Sequence, residues 1–318
     1  MKLKKVWISN HLFFKGDIYG HECDRIILEV AWPIFKYLVD ENHIEKYFFI
    51  RYSEFGTHIR MRFFGDSEKL DTIVKPFVEQ QIKKLFPKEL IAYPQIQNEN
   101  LNNNKNYLWI DYEPEKERYG GDKAIRVAED FFYYSSLASI KLLSEMTPGD
   151  KTARFGKALL SMLILGYVFA GTRDDTVTWF ENYGKGYLRA RINNPEDEAA
   201  WNEMFAKGFD KQSDKLQEYI EYAWSILDDD EELTESLDEY GKNLGKVKAE
   251  LNGLLKTSDV IKTNKAIEGW SELRMSIISS YIHMMNNRLG VSIPEESYLA
   301  HLITNSLKII KEADEPHK

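Results

Sequence analysis

The chain predicts an α+β protein in two lobes: a ferredoxin-like βαββαβ lobe over residues 1–121, then a largely helical lobe over residues 122–318. Three observations predict it. Short alternating stretches rich in β-branched and aromatic residues cluster before Gly121. Two segments with helical spacing interrupt them. Beyond Gly121, apolar residues recur three and four positions apart through most of the remaining chain.

Residues 6–14 are short and β-rich, and residues 22–39 carry helical spacing through Ile26, Ile27, Val30, Phe35 and Leu38 despite Pro33 among them. Residues 46–52 and 58–64 alternate as strands around Ser53-Glu54-Phe55-Gly56-Thr57, which predicts a hairpin. Residues 67–86 are helical, 97–106 form an Asn-rich loop, and 107–112 complete the strand set. Further helices are expected near 122–144, 152–170, 196–205, 213–227, 233–255, 264–289 and 294–310, with breaks at Pro148-Gly149 and Asn194-Pro195. The aromatics between Phe131 and Tyr187 sit at helical spacing and read as core.

Composition narrows the classes. At 43% hydrophobic and 13% aromatic residues the chain can bury a core without staples, and a single cysteine, Cys23, excludes an internal disulfide. No stretch approaches the roughly 20 apolar residues of a membrane span. The basic start Met1-Lys2-Leu3-Lys4-Lys5 leads into an apolar run broken at Ser9-Asn10-His11 with no cleavage site, so a cytoplasmic protein is expected. A net charge of −9 argues against a general grip on nucleic acid. Asp228-Asp229-Asp230-Glu231-Glu232 lacks the alternating ligands and central glycine of a calcium loop. His21-Glu22-Cys23 offers two metal ligands and no remainder, so neither metal nor cofactor is expected. Gly-x-Ser-x-Gly, Walker and His-Glu-x-x-His signatures are missing from the sequence.

Chemistry concentrates in three places. On the second hairpin strand, alternation puts His58, Arg60 and Arg62 on one face, where two guanidiniums suit a carboxylate or, equally, pair with surface acids. Whether Arg51 shares that face depends on hairpin register, and one residue of slip reverses it. In Glu117-Arg118-Tyr119-Gly120-Gly121-Asp122, the glycines permit a tight turn into a helix that Asp122 is suited to cap. Late in the chain, Ser276, Ser279, Ser280, His283, Asn286 and Asn287 share one helical arc free of Lys and Glu, with Arg274 and Arg288 on the otherwise apolar side. That arc suits an enclosed polar pocket. A histidine satisfying one buried hydrogen bond explains it as well.

Together, Arg51-Tyr52, His58-Ile59-Arg60-Met61-Arg62, Arg118-Tyr119-Gly120-Gly121 and His283-Met284-Met285-Asn286-Asn287-Arg288-Leu289 resemble the thiopeptide-type bacteriocin biosynthesis family, the small C-terminal elimination domain of class I lantibiotic dehydratases, which also occurs as a free-standing protein. The resemblance spans nearly all of residues 1–318 and implies one elimination-type domain. It implies a lyase that removes glutamate from glutamylated Ser or Thr of a ribosomally made precursor peptide, leaving dehydroalanine or dehydrobutyrine, with a separate glutamylating dehydratase as partner. On that reading His283, Arg60 and Arg62 are catalytic, while Arg118, Arg51, His58 and Asn287 contact substrate. Where glutamate-eliminating members often read Tyr-x-Arg-Glu, this chain has Tyr112-Glu113-Pro114-Glu115, and proline offers an anion no cation. The same fold serves thiopeptide pyridine-forming cyclases. Cyclisation and a non-catalytic precursor-binding module therefore stand as alternatives.

Overall fold

Alternation with a period of two decides the sheet. In the computed structural model, which describes residues 4–95, 105–189, 192, 194–229, 234–256 and 270–314, four strands form: β1 (Lys5–Phe13), β2 (Lys46–Tyr52), β3 (His58–Asp66) and β4 (Tyr107–Ile110). Their order is β2-β3-β1-β4 and every pairing is antiparallel, as a ferredoxin-like lobe requires. The last strand is shorter than expected. Tyr112 leaves the ladder and its ring lies 4.7 Å from the Arg62 guanidinium carbon.

Register settles what the sequence left open. Tyr52 pairs with His58, Ile50 with Arg60 and Phe48 with Arg62, so these lie on one face together with Phe13, His11 and Ser9 of β1. Arg51 pairs with Ile59 and points to the other face. There Leu12, Phe49, Ile59, Met61 and Phe63 are fully buried. That face is covered by α1, made of His21–Ile26, a π-helical turn at Ile27–Ala31 and Trp32–Asp40; its Phe35 stacks on Tyr47 at 4.3 Å. A second helix, α2, repeats the design with Ser67–Lys69, a π turn at Leu70–Val74 and Lys75–Leu85. Both π turns end one residue before an Xaa-Pro pair, Trp32-Pro33 and Lys75-Pro76. Proline brings no N–H and crowds the carbonyl four residues back, and a widened turn accommodates both defects without ending the helix.

The second lobe consists of α3 (Ala124–Ser144), α4 (Lys151–Ala170), α5 (Arg173–Arg189), α6 (Pro195–Asp210), α7 (Ser213–Asp228), α8 (Glu235–Lys256), α9 (Trp270–Leu289) and α10 (Ile293–Asp314). Helix α5 was not anticipated. Thr176, Val177, Thr178, Gly184 and Gly186 give it poor intrinsic propensity, and packing overrides that by burying Trp179, Phe180 and Tyr183. Most of the expected Asn-rich loop, the expected start of α9 at residue 264 and acidic residues 230–232 lie outside the described residues.

Two expectations need correction. Asp122 does not cap α3: the cap position is Lys123, and the Asp122 carboxylate pairs instead with Lys116 at 2.6 Å. Gly120 and Gly121, at φ 89° and 104°, do make the expected tight turn. Helix α4 is long and apolar enough to cross a membrane by length and composition, against the reading that no stretch is. More than half of its apolar window is buried inside the protein, and its Arg154 is buried against Asp24.

The lobes are joined through charge. Arg51, with no exposed side-chain surface, donates to Asp24 (2.6 Å), Ile18 O (2.8 Å) and Arg288 O (3.1 Å). Arg154 of α4 donates to the same Asp24 and to Leu289 O. Arg51 is therefore corrected from a substrate contact to a buried strut. Its three bonds all run to protein groups on the far side of the sheet.

Candidate functional site

On the β3 face the three expected side chains lie side by side but in different states. Arg60 stacks on the Tyr52 ring at 3.4 Å, and its Nε donates to His58 Nε2 at 3.3 Å. It keeps about a fifth of its side-chain surface open, with Glu54 3.9 Å away. Because His58 also donates through Nδ1 to Gly56 O at 2.8 Å, its two partners fix the neutral Nδ1–H tautomer. Burial, the main cause, pushes the His58 pKa down to about 4. His11 stacks on it at 5.0 Å and is likewise held neutral, by burial first and then by the neighbouring His58 ring and the Arg60 and Arg62 guanidiniums.

Arg62 is the anomaly of this face. It lies between Phe48 and Tyr112, at 5.0 and 4.7 Å, and its buried Nε has no hydrogen-bond partner. Desolvation presses its pKa down to about 10, which leaves it charged at neutral pH. Behind Phe48 a second guanidinium, that of Arg288, is fully buried with Nη2 unpartnered, and burial lowers it to about 9. Desolvated cations without a bonded carboxylate make this corner strongly attractive to an anion.

Helix α9 supplies the remaining groups. Its Ser280, His283 and Asn287 follow at spacings of three and four and so share one face. At one end, Arg118 Nε donates to Ser280 Oγ at 3.1 Å, while its Nη1 donates to Glu115 at 3.2 Å. At the other end, the Asn287 amide grips the main chain of Arg51, accepting from its N and donating to its O, both at 3.0 Å. Asn287 thus pins α9 to β2, and the structure gives its amide a backbone partner at each atom. His283 lies between these two anchors, about a fifth exposed, and its Nδ1 donates to Glu296 Oε1 at 2.9 Å.

Glu296 was missed by sequence reasoning, as was its partner Tyr183. The carboxylate has no exposed surface, and the Tyr183 hydroxyl donates to its Oε2. Burial pushes the Glu296 pKa up, while His283, Tyr183 and Asn286 act to lower it. Its signal lay in Ile293-Pro294-Glu295-Glu296, a helix start favouring acids, thirteen positions after His283 across a tight reversal. A carboxylate on Nδ1 holds the tautomer with its proton there and leaves Nε2 as the ring's acceptor. Among the described residues no group of three or more His, Cys, Asp or Glu side chains could hold a metal ion. Cys23 is buried in the core.

The family described as lantibiotic biosynthesis dehydratase C-term matches residues 7–307. The chain belongs to that family. Epidermin biosynthesis protein EpiB of Staphylococcus epidermidis is 25% identical to it, over 96% of the chain and 26% of EpiB, so the chain spans about a quarter of that relative. Among solved structures, the pyridine synthase TbtD from thiomuracin biosynthesis superposes with a TM-score of 0.74 at 15% identity, covering 96% of this chain and 99% of TbtD. TsrL gives 0.71 at 15% identity, covering 98% and 96%. The tRNA-dependent lantibiotic dehydratase MibB from Microbispora sp. 107891 gives 0.64 at 20% identity, covering 98% of this chain and 28% of MibB. At these identities the three structures establish the shared fold. Within this fold, Arg118 meets α9 at Ser280, one turn from His283, and Arg62 and the α9 residue Arg288 both lie against the Phe48 ring.

Proposed function

We propose that the protein is a lyase of lantibiotic-type maturation: it eliminates glutamate from glutamylated Ser or Thr in a ribosomally made precursor peptide, in the cytoplasm and beside a separate glutamylating dehydratase. The observation that carries this reading is the meeting, on one face of α9, of a proton-transfer pair and a cation. His283 with Glu296 supplies the pair; Arg118, bonded to Ser280 one turn away, supplies the cation.

Elimination removes the α-proton, breaks the bond from the β-carbon to the ester oxygen and forms the carbon–carbon double bond. Glutamate leaves as its carboxylate. Negative charge builds on the peptide carbonyl as the proton departs, and a guanidinium already oriented by Ser280 and Glu115 lowers that barrier. A histidine held by a carboxylate on one ring nitrogen presents the other to take up the proton. Arg60, stacked and oriented by Tyr52 and His58, and Arg62, with its unpartnered Nε, suit the glutamyl carboxylates. The test is a glutamylated Ser peptide incubated with the protein and followed by mass spectrometry. Release of glutamate with formation of dehydroalanine is expected; an ester that persists with a correctly matched peptide overturns the reading.

Pyridine-forming cyclisation is the second reading, favoured by Pro114 in the position where a cation is expected and by the end-to-end likeness to TbtD. A precursor carrying two dehydroalanines would then lose its leader and gain an aromatic chromophore.

A further inference from the structure

Away from the β3 arginines, a cavity of about 690 Å³ opens between the end of α4, one side of α5 and the first half of α9. Its apolar lining is Phe169, Ala170, Trp179, Met275 and Ile278, and Asp175 adds a carboxylate at its edge. Two donors in this lining are unsatisfied: Trp179 Nε1, on a side chain only 2% exposed, and the buried Nε of Arg274, whose Nη2 is tied to Phe169 O. A buried N–H left unpaired is destabilising, so the two donors favour an occupant that brings acceptors. The exposed edge carries Thr178 and Asn182, side chains that hydrogen-bond readily to a peptide main chain. A ligand with an apolar side chain and neutral main-chain carbonyl oxygens matches these groups, whereas Asp175 disfavours a carboxylate.

The cavity and His283 lie along one line of α9. Met275, Ser279, His283 and Asn287 follow at intervals of four along α9, and all four are half-buried while most residues around them are fully buried. They form one open ridge leading from the cavity wall to the histidine. Helix α5 supports both ends of this path, lining the cavity with Asn182 and holding Glu296 with Tyr183. From Met275 to His283 the ridge climbs about 12 Å, eight residues at about 1.5 Å each. An extended peptide covers about 3.5 Å per residue, so the cavity lies three or four residues from the one at His283.

We propose that this cavity is a specificity subsite for the substrate peptide, accepting an apolar side chain three or four positions from the reacting residue while Arg274 and Trp179 bind the accompanying oxygens. The proposal rests on the reading that the substrate is a peptide whose reacting residue meets His283. It does not require that the reaction be elimination.

The experiment uses the full chain and fluorescein-labelled peptides of glycine around one serine, with a single leucine moved stepwise from two to six positions on either side. Affinity is read by fluorescence anisotropy. Leucine three or four positions from the serine on one side should tighten binding about tenfold over glycine, the discrimination one apolar pocket gives. Ala170→Trp, which fills the cavity, should bring that ratio to about one, and Thr178→Trp at the exposed edge should do the same without disturbing the core. Arg274→Gln should weaken the leucine peptide in particular. A wild-type protein indifferent to leucine position, or a preference that survives the filling variants, overturns the subsite. Glutamate release from the glutamylated form of each peptide is measured separately. If it is absent while the leucine preference persists, elimination falls and the subsite stands.

Discussion

Nδ1 of His283 lies 2.9 Å from Oε1 of Glu296, a carboxylate with no exposed surface whose other oxygen accepts from Tyr183. The imidazole is thereby fixed in tautomer and direction, and its role depends on a residue that never meets solvent. Glu296→Gln keeps the shape and leaves an acceptor for Tyr183, yet removes the charge that steadies a protonated ring. Glutamate release should fall about a hundredfold or more, while the urea midpoint holds or rises because an amide is easier to bury than a carboxylate. Activity close to wild type in Glu296→Gln would mean that His283 works unaided.

Arg51 and Arg60 test the division of labour between the two faces of the sheet. Arg51→Lys removes at least two charge-assisted hydrogen bonds in a dry environment, and urea unfolding should show a loss of about 3 kcal/mol or more. Arg60→Lys keeps a cation on an accessible face and should cost no more than about 1 kcal/mol, the value of its stacking on Tyr52. Its KM for a glutamylated peptide should nevertheless rise about tenfold, since an ammonium lacks the planar fork. The reverse outcome, Arg60→Lys unfolding the protein and Arg51→Lys sparing it, would exchange the two roles.

Much of this division was legible in the sequence. Alternation placed His58, Arg60 and Arg62 together, and hydrophobic spacing gave the succession of strands and most helices along the chain, because both follow from local periodicity. Arg51 was not legible, since its face depends on hairpin register and its partners Asp24 and Arg154 lie 27 and 103 residues away in the chain. Asn287 looked like a pocket residue because its polarity was visible and its partner, the Arg51 main chain, was not. Glu296 escaped because acids at a helix start are common and only packing shows that this one is buried beneath an imidazole. Helix α5 escaped because its Thr, Val and Gly content argues locally against what Trp179, Phe180 and Tyr183 achieve by burial.

Acid should weaken the fold through the stacked His11 and His58. In the unfolded chain a histidine titrates near 6.5; in the fold His58 is held at about 4, and His11 is also depressed. Above pH 6.5 both states are neutral and the stability contribution is complete. As pH falls from 6.5 toward 4 the unfolded chain takes up a proton that the fold refuses, so stability is lost, by about 3 kcal/mol from His58 alone. Urea midpoints at pH 7.5 and pH 4.5 for wild type and His58→Phe check this, because carboxylate effects are common to both. The variant should lose clearly less on acidification; equal losses would show that His58 is not held neutral.

Gly290 makes the meeting of the two lobes a matter of one hydrogen atom. It sits at φ +76°, and a Cβ there would fall 2.5 Å from Arg154 Nη1 and 2.8 Å from Arg51 Nη1. Both guanidiniums are held on Asp24 and on main-chain carbonyls, so neither can retreat without breaking a buried ion pair. Gly290→Ala therefore combines the left-handed penalty of about 1–2 kcal/mol with displacement of the Arg51–Asp24–Arg154 cluster. Unfolding should be easier by about 2 kcal/mol or more. Because Gly290 joins α9 to α10, the His283–Glu296 alignment should suffer with it, and glutamate release at a temperature where the variant is still folded should drop more than the folded fraction does. A Gly290→Ala protein of wild-type stability and activity would show that the reversal between α9 and α10 tolerates a side chain and that the cluster beneath it can move.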